Sequence, residues 1–128
     1  MGKLHVSTVA VTTTGSNGSA TGYASTATLY NAKLWWIYLD YHADAPAGTT
    51  DITIAYGTRG GNVYAKANNV TDVLVHPRCA PVNNAASAIT NAHSHFVVHN
   101  DTLKVTIAES NPLTACVTAY ICWEDMAG

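Results

Sequence analysis

Residues 33–56 read KLWWIYLDYHADAPAGTTDITIAY, two runs of strand character separated by a loop that holds Pro46, Gly48, Thr49 and Thr50. In the second run Ile52, Ile54 and Tyr56 alternate with Asp51, Thr53 and Ala55. That is the period of a strand with one face in a core and the other in water. The first run is apolar on both alternating faces, with Trp35, Ile37, Leu39 and Tyr41 on one and Leu34, Trp36 and Tyr38 on the other. A strand of this kind is covered on both sides, so this pair is the expected centre of the fold.

The same reading extends outward in both directions. Leu4–Thr13 is a first strand whose apolar phase changes: Leu4 and Val6 share one face, Val9 and Val11 the other, which predicts a bulge near Ser7 and Thr8. Residues 14–20, TGSNGSA, are a loop. An extended segment over Thr21–Tyr30 follows, and Asn31 and Ala32 are expected to turn the chain into the central pair. After it, GTRGG at 57–61 predicts a hairpin into Asn62–Ala67. Val70–His76 is a strand stopped by Pro77. Arg78–Asn91 is irregular, with AASAI at 85–89 suited to one helical turn. His93–His99, Leu103–Ala108 and Ala115–Trp123 complete the strands, and no segment of length has a helical period. About eight or nine short strands punctuated by turns predict a single all-β domain over residues 1–128, an antiparallel β-sandwich of jelly-roll type.

Composition narrows the classes of function. Charged residues are 11% of the 128, against roughly 25% in ordinary globular chains. The surface must therefore be built from Thr, Ser, Asn, Ala and Gly, as in a chain packed among many copies or in a neutral β-rich monomer. Six scattered basic residues give no electrostatic footprint for nucleic acid or an anionic membrane. No stretch approaches the roughly 18 apolar residues of a membrane helix, and the N-terminus has no secretory pattern. Cys116 and Cys122 fall on one strand, about 20 Å apart, too far to bridge. Reduced thiols, as in a bacterial cytoplasm, are the simplest expectation, with a disulfide from Cys79 left open.

The sharpest candidate for chemistry is HSHFVVH at 93–99. On a continuous strand His93 and His95 point to one face and His99 returns to it, a set that zinc, iron or nickel would accept. The spacing resembles the first cupin motif, but its framing glycines and Glu ligand are missing, so a polar strand face is the preferred reading and no metal or cofactor is assigned. No nucleophile motif is present: Gly15–Ser19 has the wrong spacing for a nucleophile elbow, and the carboxylates lie mostly in turns. A non-enzymatic protein is expected. Trp35 or Trp36, with Tyr38, Tyr56 and Tyr64, invite a sugar-stacking platform, although a small protein also needs such residues in its core, which is the preferred reading.

Three segments carry a family resemblance: IYLDYHADAPAGTTDITIAY (37–56), DVLVHPRCAP (72–81) and LKVTIAESNPLTACVTAYI (103–121). An aromatic strand ending in Asp-Tyr-His, a small-residue and proline loop, a His-Pro-Arg step and a Leu-Lys-Val strand followed by Ser-Asn-Pro resemble the small all-β capsid decoration, or cement, proteins of tailed bacteriophages. The resemblance implies a virion protein made in the host cytoplasm that sits on the capsid exterior and bridges major capsid subunits. It also implies self-association, with a trimer favoured. Arg59, Tyr64, Arg78, His93 and His95 are the expected contact residues, because they lie in the GTRGG hairpin or the irregular stretch. A carbohydrate-binding sandwich on a phage exterior is the alternative, and a cupin-like metal protein using His93, His95 and His99 a more distant one.

Overall fold

A computed structural model describes residues 2–44, 46–79 and 93–126. All regular structure in them is β: β1 (Lys3–Val11), β2 (Ala20–Ser25), β3 (Leu29–Tyr41), β4 (Asp51–Tyr56), β5 (Asn62–Lys66), β6 (Val73–Val75), β7 (Arg78–Cys79), β8 (Ser94–His95), β9 (Val97–Asp101), β10 (Leu103–Ser110) and β11 (Val117–Asp125). Every pairing is antiparallel. One five-stranded sheet runs β1-β11-β3, with β6 and β9 sharing the far edge of β3; a four-stranded sheet runs β2-β10-β4-β5. β7 and β8 form a separate two-stranded ribbon. The expected helical turn at 85–89 lies outside the described residues.

One core joins the two larger sheets. Val9, Val11, Leu34, Ile37, Leu39, Val117, Ala119 and Ile121 from the first meet Ile52, Ile54, Leu103, Val105 and Ile107 from the second in a single buried cluster. These are the positions that period-2 patterning assigns inward on β4, β10 and β11. The β4–β5 hairpin also forms as expected, with Gly60 and Gly61 at φ 75° and 95°, conformations that a side chain disfavours. Gly60 N–H donates to Tyr56 O, and Tyr56 N–H donates to Gly61 O, both at 3.1 Å.

Four expectations are corrected. Asn31 and Ala32 make no turn; both lie inside β3, whose first half pairs with β9 and second half with β6. The register of β1 on β11 is unbroken from Lys3↔Asp125 to Val11↔Val117, so there is no bulge at Ser7 and Thr8. Leu4 and Val6 are instead in phase with Thr8 and Ala10, and all four are exposed. His93–His99 is not one strand, because Phe96 interrupts it and its carbonyl accepts from Leu34 N–H at 2.9 Å. Finally, β3 does bulge: Cys122 opposes Trp36 while Trp123 opposes Leu34, leaving Trp35 as the extra residue. The bulge exchanges the faces of the opening run, so that Leu34 joins Ile37, Leu39 and Tyr41 among the buried residues and neither Trp35 nor Trp36 belongs to the core.

Candidate interaction face of the five-stranded sheet

The outer face of the five-stranded sheet is a grid set by register. One row crosses Leu74, Tyr38, Tyr120 and Thr8. The next crosses Trp36, Cys122 and Val6, and a third Lys33, Glu124 and Leu4. Directly opposed side chains on a sheet stand about 4.5–5.5 Å apart at Cβ, so these rows are contiguous surface. Leu4, Val6 and Leu74 are 60%, 53% and 52% exposed, and Trp36, Tyr38 and Tyr120 are partly exposed. The Tyr38 and Tyr120 rings lie 6.3 Å apart. Cys122 is buried despite belonging to this face, and burial holds its thiol above its ordinary pKa.

Charge on the face is sparse and anchored. Asp72 accepts the Tyr41 backbone N–H at 2.7 Å and the Tyr38 hydroxyl at 3.5 Å. Burial, followed by the Asp72 and Asp40 carboxylates, pushes the Tyr38 phenol up. At the other end the bulge turns Trp35 toward Glu124: Trp35 Nε1–H donates to Glu124 Oε1 at 3.1 Å, and Gly2 N–H donates to Glu124 Oε2 at 3.3 Å. Lys33 Nζ stands 5.1 Å over the Trp35 ring. Gly2, Leu4, Trp35 and Glu124 line an open hollow of about 390 Å³.

The expected contact residues are not brought together. Arg59 braces the β4–β5 turn: its Nη1 donates to His99 O at 2.6 Å and lies 3.6 Å from the inaccessible carboxylate of Asp101. That carboxylate accepts the backbone N–H groups of Thr58 at 2.8 Å, Arg59 at 3.1 Å and Thr102 at 2.7 Å. Burial pulls its pKa upward, but these donors outweigh burial and hold it at about 2. Tyr64 is packed partly against the core. Arg78 Nη1 donates to the carbonyls of Trp35 at 3.2 Å and Pro77 at 2.7 Å.

The three histidines also separate. His93 is exposed, His95 meets the Trp35 ring edge-on at 4.6 Å, and His99 Nδ1 pairs with Asn31 Oδ1 at 3.0 Å. His95 Nε2 is buried without a partner among the described residues. Burial, with Arg78 and Lys33 nearby, lowers the His95 pKa against a smaller opposing pull from Glu124. Among the described residues no three His, Cys, Asp or Glu side chains converge into a metal-holding group. Cys79, Cys116 and Cys122 are free thiols, and no helix is long and apolar enough to cross a membrane.

No family model matches the chain, and neither a curated protein nor a solved structure is similar to it. The face is therefore defined by its own residues. Sequence reasoning overlooked Leu4, Val6, Leu74, Tyr120 and Glu124 as parts of it. The phase change in β1 was the available signal for two of them, because an unbulged strand can change phase only by turning apolar residues outward.

Proposed function

We propose that this protein is a structural, non-enzymatic virion component, a capsid decoration protein that binds the exterior of a tailed-phage shell and bridges major capsid subunits. The observation that carries the proposal is the outer face of the five-stranded sheet, where Leu4, Val6, Leu74, Trp36, Tyr38 and Tyr120 form one apolar, aromatic surface. In a chain with 11% charged residues such a surface is suited to permanent contact rather than to solvent. Aromatic anchors are the residue types that concentrate binding energy at interfaces. Many copies on a repeating shell need only weak individual contacts, since repetition and self-association supply avidity.

The strand order supports the same reading. The first strand lies beside the last and the last beside the third; the second lies beside the tenth and the tenth beside the fourth. We take this nesting, with one core between the sheets, as a jelly-roll-like β-sandwich, the fold expected from the number and spacing of the strands. Mixing the protein with undecorated shells of the major capsid protein tests the function. Saturable, regular binding and a higher shell-disruption temperature are expected; absence of binding across a range of salt would sink the proposal.

The hollow beside Trp35 favours one second reading. An indole next to a carboxylate is an arrangement that stacks and hydrogen-bonds a sugar ring, as a carbohydrate-binding sandwich would require. A silent glycan array, together with Trp fluorescence unchanged by the arrayed sugars, would remove it.

A further inference from the structure

The edge of the same sheet carries an inference that does not depend on a capsid. β1 is nine residues long and, among the described residues, pairs in a sheet with β11 alone. Its outer side presents alternate unpaired N–H and C=O groups, a template for another strand. Proteins ordinarily blunt such an edge with shortness, proline, a bulge or charge. β5 on the other sheet has five residues, a register shift and Lys66, and β6 has three residues. β1 has an unbroken register, no proline and a single charge, Lys3, at its start.

We infer that β1 pairs antiparallel with β1 of a second copy, about a twofold axis at Ser7, fusing two five-stranded sheets into one. Full overlap of the nine residues fixes that centre. It sets Lys3 opposite Val11, Leu4 opposite Ala10 and Val6 opposite Thr8 of the second copy. No like charges meet, because the lone lysine of each strand faces the other strand's apolar end. Leu4 and Val6, 60% and 53% exposed in one copy, gain neighbours across the new pairing. The strand is about 30 Å long, and a contact strip of ordinary width along it buries on the order of 400 Å² per copy, against about 800 Å² in a standard interface. The dimer is therefore weak and concentration-dependent. Its twofold stoichiometry also differs from the trimer that the family resemblance implies.

Sedimentation equilibrium of the free protein from about 1 to about 300 μM tests this, the range in which weak interfaces of that size assemble. The expected mass rises from one protomer to two. Val6→Lys with Thr8→Lys places introduced lysines opposite each other twice and holds the protein monomeric. Val6→Lys with Thr8→Glu places opposite charges there and restores the dimer. All three proteins are expected to share one circular dichroism spectrum, since both positions are exposed. Amide exchange in wild type needs no substitution, and protection along β1 should rise with concentration. A wild-type protein that is monomeric throughout, a trimer, or equal masses for both double variants would overturn the inference.

Discussion

Trp35 and Trp36 are consecutive, yet both stand outside the core, because the β3 bulge leaves Trp35 unopposed and sets Trp36 across from Cys122. Leu34 takes the inward place instead. Leu34→Asn buries an amide without a partner and is expected to cost about 3 kcal/mol or more. Trp36→Arg should fold with a loss of about 1–2 kcal/mol, since a long stem can lie along the sheet with its charge in water. Urea denaturation of the two variants checks the order; the reverse ranking would mean that the bulge is misplaced.

Binding to shells should follow the same geography. Trp36→Ala and Tyr38→Ala are each expected to weaken capsid association by about tenfold or more, as anchors in an aromatic patch do. Arg59→Ala should change it by less than about threefold, because Arg59 lies off this face, in the β4–β5 turn of the other sheet, where its Nη1 braces His99 O beside Asp101. Co-sedimentation with undecorated shells measures both.

Asp101 predicts the acid behaviour of the β4–β5 turn. Its folded pKa of about 2 lies below the ordinary 3.8, so its contribution is complete above that ordinary value and is lost as pH falls through about 2. Asp101→Asn should lower the melting temperature at neutral pH and flatten the acid limb of the stability curve between these two values. Thermal melts across that window provide the measurement.

His95 has the same proton preference, although here the deprotonated form is the neutral one. Its folded pKa lies below the ordinary 6.5, so the fold favours the neutral ring; stability is complete above that value and declines as pH drops below it. His95→Phe retains a ring against Trp35 and should remove this decline. Denaturation of both proteins at about pH 7.5 and about pH 5.5 tests it, and an equal loss in the variant would assign the effect to another group.

Strand identity was largely legible in the chain. Alternation in Asp51–Tyr56, Leu103–Ala108 and Ala115–Trp123 marked the inward residues, since side chains on a strand alternate regardless of partner. The GTRGG hairpin was equally plain, because only glycine takes its positive φ cheaply. The candidate contact residues were less legible. Arg59 and Arg78 looked available as rare long polar side chains, yet both are engaged by backbone carbonyls remote in sequence.

The sequence by itself therefore determined that this is an all-β chain, which of its cleanly alternating runs are strands, and that its surface is poor in charge. Tertiary structure alone decided which way the aromatics face. A single extra residue at Trp35 reverses the phase of everything before it, and that slip is set by the partner strand β11, not by any local preference. For the same reason the apolar pair Leu4 and Val6 read as the mark of a bulge in the chain, whereas the continuous ladder from β1 to β11 makes it an exposed face.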